Sequence, residues 1–221
     1  MSNRAKAFCD SNPSTDLMEG DGVDESKRAT LRRFAALGAA SPLVRLADSG
    51  SDSTAPGAIV GYLSTTPGAH FSKLRDDLQL GTGETQHHLR TLLQDDAIES
   101  QRDGEYRRFF PADRFSDFER TALGYLRRET PRGMIVELLG DPSVTANGLA
   151  ERLDVSSPTV SKYAAQLEEA GLLTREDGYA LRQPETLLML VVRYAESFGE
   201  DAIAFAAEAD DHVAYDGETD E

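Results

Sequence analysis

Five polar side chains fall within seven positions at Ser156, Ser157, Thr159, Ser161 and Lys162. Their hydroxyls and ammonium can meet phosphate oxygens and base edges. A second set stands at Thr82, Glu84, Gln86, His87 and Arg90, followed by Arg102, Arg107 and Arg108. Gln86 suits the edge of adenine, Arg90 suits guanine or phosphate, and the three later arginines suit phosphate. Glu84 would repel phosphate unless it faces a cytosine amine. A solvated polar helix face accounts for each of these residues taken alone. Covalent chemistry has less to stand on. There is no Ser-His-Asp context, no phosphate loop and no pair of carboxylates in an apolar pocket, so no enzyme is expected. His70, His87 and His88 do not make a metal site. Adjacent helical histidines point about 100° apart, and no carboxylate or cysteine shares their face at ligand spacing. No metal and no cofactor are expected.

These residues need elements to hold them. Leu149, Leu153 and Val155 mark a short helix and the turn after it. Ser157 is the expected cap of the next helix, with Pro158 in its first turn. Val160, Tyr163 or Ala164, Leu167 and Ala170 recur at helical spacing and bury one face. Gly171 suits a left-handed stop. Leu172 to Thr174, then Glu176-Asp177-Gly178, read as a strand entering a hairpin turn.

The same order occurs 75 residues earlier, where Leu74, Leu78, Leu80, Leu92 and Ile98 fall on Leu149, Leu153, Val155, Leu167 and Leu173. The upstream copy has a helix with Ala58, Ile59, Tyr62 and Leu63 inward, then a second fitted by Phe71, Leu74, Leu78 and Leu80. Gly81-Thr82-Gly83 reads as a turn. A third helix over 84–94 puts Thr85, His88, Leu89 and Leu92 inward. Strands over 97–100 and 106–110 flank an Asp103-Gly104 turn. A repeat that keeps apolar register across three elements indicates two domains of one kind.

Two short helices, a tight turn and a small hairpin describe a winged helix-turn-helix. The downstream copy resembles the winged helix of archaeal and bacterial regulators of the MarR and ArsR kind. Ala150 fills the small position of its first helix and Val160 the branched apolar position of its second. Asp154 stands in the turn where such proteins often have glycine. The GETQHHLRTL segment of the upstream copy is similar to the recognition helix of ArsR-type regulators, with His88-Leu89 as the His-Leu pair. The resemblance covers residues 57–183. It implies a mainly α fold with small β-wings (α+β), two winged helices in tandem plus a C-terminal helix, and transcription regulation on double-stranded DNA. The expected DNA-binding set is Thr82, Gln86, His87, Arg90, Arg102, Arg107, Arg108, Ser156, Ser157, Thr159, Ser161, Lys162 and Arg175. The first copy is expected to grip the backbone, and the second recognition helix and wing to have a lesser or separate role. The rival is a winged-helix protein–protein interaction scaffold in a chromosome or transcription complex, which acidity and Glu84, Glu168 and Glu169 favour.

The net charge is −16, where DNA-binding modules are usually basic. Four lysines and 19 arginines face 39 acidic residues, a balance that suits a haloarchaeal cytoplasm and so describes solvent rather than partner. Residues 184–221 contribute −10 of that charge. Cys9 is alone, which excludes a disulfide framework. No apolar run approaches the roughly 18 residues of a membrane span. Arg32-Arg33-Phe34 imitates a twin-arginine export signal, but it lies deep in the chain and Arg45 interrupts the apolar part. The favoured reading is an amphipathic helix with Leu31, Phe34, Ala35 and Leu37 on one side. No small-molecule effector is indicated.

The expected organisation is a disordered 1–26, a helical extension at 27–48, and a linker at 49–56. Winged helices at 57–113 and 130–183 are joined by a helix at 114–129. A dimerisation helix at 184–209 and an acidic tail at 210–221 close the chain. Leu187, Leu188, Leu190, Val191 and Val192 wrap their helix too fully for one groove, so they are expected to hold a homodimer.

Overall fold

The computed structural model describes residues 21–38, 54–176 and 178–209. Cys9, the stretch 39–53 with Pro42 and Arg45, Asp177 and the acidic tail lie outside them.

The fold is mainly helical with small antiparallel β-wings and two helix-turn-helix units in sequence. Helix α1 (Asp21–Gly38) begins six residues earlier than the expected extension and packs on α2 (Ala55–Thr65). Leu31 is buried there and the Phe34 ring meets Tyr62 edge-on at 5.2 Å. Leu37, expected on the same side, is exposed. Helix α2 starts inside the expected linker, with Pro56 in its first turn.

The two units share a turn geometry. Helix α3 (Phe71–Asp77) leads through Gln79 into α4 (Thr82–Gln94), and α7 (Ala146–Arg152) leads through Asp154 into α8 (Ser157–Glu169). Gln79 and Asp154 take left-handed backbone, with φ of 54° and 51°. In both turns the residue after it donates its N–H five positions back, Leu80 to Arg75 and Val155 to Ala150, at 2.9 and 3.0 Å. Asp154 therefore does what glycine does elsewhere, because a short polar side chain tolerates this region. Asp96 and Gly171, also 75 apart, are left-handed at the ends of α4 and α8.

The caps refine the expected starts. Ser156, not Ser157, caps α8 by accepting from Thr159 N–H at 3.3 Å, which leaves Ser157 and Pro158 in the first turn. Thr145 caps α7 by accepting from Gly148 N–H. Thr82 and Gly83, expected in a turn, open α4, and Gly81 is its cap.

The sheets differ. In the first unit β2 (Ile98–Asp103) and β3 (Tyr106–Pro111) form the wing, and β1 (Ala69–His70) pairs with β3, giving the order β1-β3-β2. Strand β1 is too short for periodicity to reveal. In the second unit β4 (Leu173–Thr174) and β5 (Ala180–Leu181) pair alone.

Helix α5 (Asp117–Leu126), capped by Ser116 and Glu119, joins the units. Helix α6 (Glu129–Gly140) opens the second. Helices α9 (Pro184–Phe198) and α10 (Glu200–Ala207) close the described chain, with Gly199 between them in a backbone only glycine adopts readily (φ 152°). Two apolar cores result. One joins Leu31 to α2, α3, α4 and the wing; the other joins α5 to α10.

The expected dimer surface is largely absorbed by the second core. Leu187, Leu190 and Val191 are at most 1% exposed and pack inside their own chain, Leu188 is half-buried, and Val192 is exposed. The expectation treated α9 as facing one groove. In fact α9 lies between α5, α6 and α10, so neighbours cover more than one side.

Candidate nucleic-acid interface

Thr82, Gln86, His87 and Arg90 are all exposed on α4. Their inward neighbours Thr85, Leu89 and Leu92 are buried, which fixes the rotation of the helix. Glu84 is turned to another task. Its carboxylate accepts from Gly81 N–H at 3.2 Å and from Lys27 of α1 at 2.9 Å. Burial would raise its pKa, but those two donors outweigh it and hold the group below the usual glutamate range. The expected repulsion of phosphate is thereby reduced.

Strand register decides the wing. Arg102 stands directly opposite Arg107, and Gln101 opposite Arg108. Opposed residues share a face and neighbours alternate. Arg102 and Arg107 are thus exposed together, with Arg107 donating to Ser100 Oγ at 2.9 Å and lying 5.6 Å from the Phe109 ring. Arg108 points the other way and is 4% exposed. It pairs with Asp103 and donates to the Gly68 carbonyl at 3.0 Å. Arg108 is therefore a correction to the expected DNA-binding set. It fastens the wing, and alternation along β3 is the sequence signal that separates it from Arg107.

Sequence reasoning missed Asp103 as the hub of this fastening. It pairs with Arg108 and also with Arg128, between α5 and α6. Burial raises its pKa, but hydrogen bonds from the two guanidinium groups overcome this and depress it.

Gln86, Arg90 and Arg107 meet at the rim of a cavity of about 490 Å³ floored by Phe71, Leu89, Leu93 and Phe109. Helix α4 and the wing thus present their polar groups side by side. Among the described residues Arg90 and Arg102 have no ion-pair partner.

The second unit presents less charge. Ser157, Ser161 and Lys162 are exposed on α8. Ser156 is occupied as the cap, and its hydroxyl lies 2.8 Å from that of the half-buried Thr159. Lys162 lies 5.5 Å from the Tyr163 ring. Arg175 donates from Nε to Glu168 at 2.7 Å, so this wing cation is already paired.

The histidines have structural partners. His70 caps α3 by accepting from Lys73 N–H at 3.2 Å and stacks on Tyr106 at 5.0 Å. Burial, followed by Arg108, lowers its pKa. His88 is half-buried beside His87, and burial lowers its pKa too.

Comparison with known proteins matches these units. Residues 53–123 match a family described as an N-terminal HTH domain, and residues 133–182 match the MarR family. The chain pairs an N-terminal HTH domain with a MarR-family winged helix. These are domains of transcriptional regulators, a non-enzymatic family. An uncharacterized HTH-type transcriptional regulator of Methanocaldococcus jannaschii is 29% identical over 121 residues. The match covers 54% of this chain and 30% of that protein, so the chain spans under a third of the relative's length. No solved structure matches at a significant level. Among the described residues no helix is long and apolar enough to cross a membrane.

Proposed function

We propose that this chain is a transcription regulator that binds duplex DNA, with α4 as its principal reading helix and the β2–β3 wing on the backbone. The observation that carries this reading is the pairing of Arg102 with Arg107 on one exposed face, beside Gln86 and Arg90 of α4. A helix entering the major groove by its N-terminal end uses such neighbours to fix its register on phosphate. The second unit reads with Ser157, Ser161 and Lys162 and holds the backbone less firmly. In this reading 57–113 and 130–183 are the two DNA-facing domains. The protein acts in the cytoplasm of a haloarchaeon, a placement supported by four lysines against 39 carboxylates.

The same reading includes a homodimer, because regulators of inverted repeats need a two-fold axis. Its surface is smaller than five leucines and valines. Met189 and Val192 on α9 and Ile203 on α10 are 49%, 39% and 46% exposed, and the half-buried Leu188 adjoins Met189 in sequence.

The test is affinity for a duplex across a salt series. Replacing Arg102 and Arg107 with Ala should lower the slope of log affinity against log salt by about 2, since each phosphate contact contributes about 0.9. An unchanged slope removes the first wing from the interface.

A further inference from the structure

A second cavity, of about 270 Å³, lies on the other face of the first wing. Its walls come from three places. His70, Lys73, Tyr106 and Arg108 belong to the first unit, Arg127 and Arg128 to the junction of α5 and α6, and Ser197 and Phe198 to the end of α9. In a chain of net charge −16, this concentration of cations in one hollow stands apart. Lys73, Arg108, Arg127 and Arg128 supply four positive charges. The carboxylates paired with them are Asp77, with Lys73, and Asp103, shared by Arg108 and Arg128. Two positive charges are left over.

Arg127 is the source of much of this excess. Its guanidinium donates to the Pro67 carbonyl at 2.6 and 3.0 Å, to the Ser197 carbonyl at 2.6 Å and to Ser197 Oγ at 3.1 Å. The Phe198 ring lies 4.8 Å beneath it. None of these acceptors carries a formal charge. Burial pulls its pKa down to about 10, with Arg108 and Arg132 acting the same way and Tyr62 and Asp77 opposing them. Cations gathered in a partly desolvated hollow are stabilised by a bound anion, and guanidinium forks match phosphate geometry.

We infer that this cavity is a binding site for a small phosphate-bearing molecule, whose dianion balances the two uncompensated charges. Because its walls come from both units, filling it joins the first wing to the C-terminal helix. The inference is independent of how α4 meets DNA, since Gln86, Arg90 and Arg102 do not line this cavity.

The probe is inorganic phosphate, titrated into the full chain at ionic strength held constant with potassium chloride. Calorimetry or phosphorus NMR should show saturable uptake of one equivalent, and the melting temperature should rise with phosphate but not with matched chloride. Lys73→Gln and Arg128→Gln should each weaken phosphate about tenfold. Arg114→Gln, at an exposed position outside the cavity, should leave it unchanged. Lys73 is half exposed, so its variant keeps the test valid if Arg128→Gln loosens the wing, as circular dichroism would reveal. No saturable uptake, or uptake indifferent to Lys73→Gln, overturns the inference. A duplex added to the phosphate-loaded chain separates the two sources of phosphate. Retained phosphate supports a small ligand; displacement assigns the cavity to the DNA backbone and overturns it.

Discussion

The two winged helices share a backbone turn and differ in almost everything around it. The first is wrapped on its outer side by α1 and stiffened by a third strand, and its wing is pinned by Asp103 to Arg108 and Arg128. The second has a wing of two short strands and is completed by α9 and α10. Exposed cations follow the same division. Arg90, Arg102 and Arg107 stand on the first, whereas the second offers Lys162, Arg182 and an Arg175 already paired with Glu168. A repeated frame therefore constrains where a reading helix sits, while the flanking helices and the wing set how much charge it carries.

The two units should part most clearly when α9, the helix that completes the second, is disturbed. Val191 is fully buried and Val192, its neighbour, is exposed. Val191→Glu should cost more than about 4 kcal/mol by placing an unpaired charge in the core. Hydrogen exchange should rise over α6 to α10 and remain low in β1–β3. Val192→Glu should leave both units folded and, on the proposed dimer, convert it to monomer in sedimentation. Val191→Glu protected throughout would mean that α9 is not part of the second core.

The next largest effect belongs to the first wing. Asp103→Asn leaves Arg108 buried without its counter-charge and should cost about 3 kcal/mol in chemical denaturation. The folded pKa of Asp103 lies below its ordinary 3.8. Its contribution is therefore present above that value and is lost as pH falls toward the folded value. The parent should lose stability through that acid window, and Asp103→Asn should lose less. Identical acid limbs would show that the wing is not fastened through this carboxylate.

The smallest expected effect sharpens the contrast in charge. Glu168→Gln frees Arg175, so the second wing should gain up to one phosphate contact. The salt slope should then steepen by about 0.9, with the melting temperature little changed because the pair is on the surface. A slope that stays put would keep the second wing off the DNA even when its cation is free.

Much of the fold was legible because helix-turn-helix packing leaves a periodic trace. Leu74, Leu78 and Leu92 recur as Leu149, Leu153 and Leu167, and the spacing alone located both reading helices. The exposed set on α4 was legible for the same reason, since a helix with Thr85, Leu89 and Leu92 inward must turn Gln86 and Arg90 out. Strand β1 was not legible: two residues carry no period, and Ala69 and His70 become a strand only through pairing with Phe109 and Arg108.

Local spacing determined the two units, their turns and the outward faces of α4 and α8, because those follow from bonds and burial within a few residues. Only the tertiary structure decided which charges are free. Arg107 and Arg108 are adjacent and chemically identical, yet the register of β2 on β3 exposes one and buries the other against Asp103. Glu84 was taken up by Lys27, 57 residues away. Leu187, Leu190 and Val191 were enclosed by helices from three parts of the chain. The outcome in each case depends on a partner remote in sequence, and the strength of an ion pair or a buried face is set by that partner and by the water it excludes.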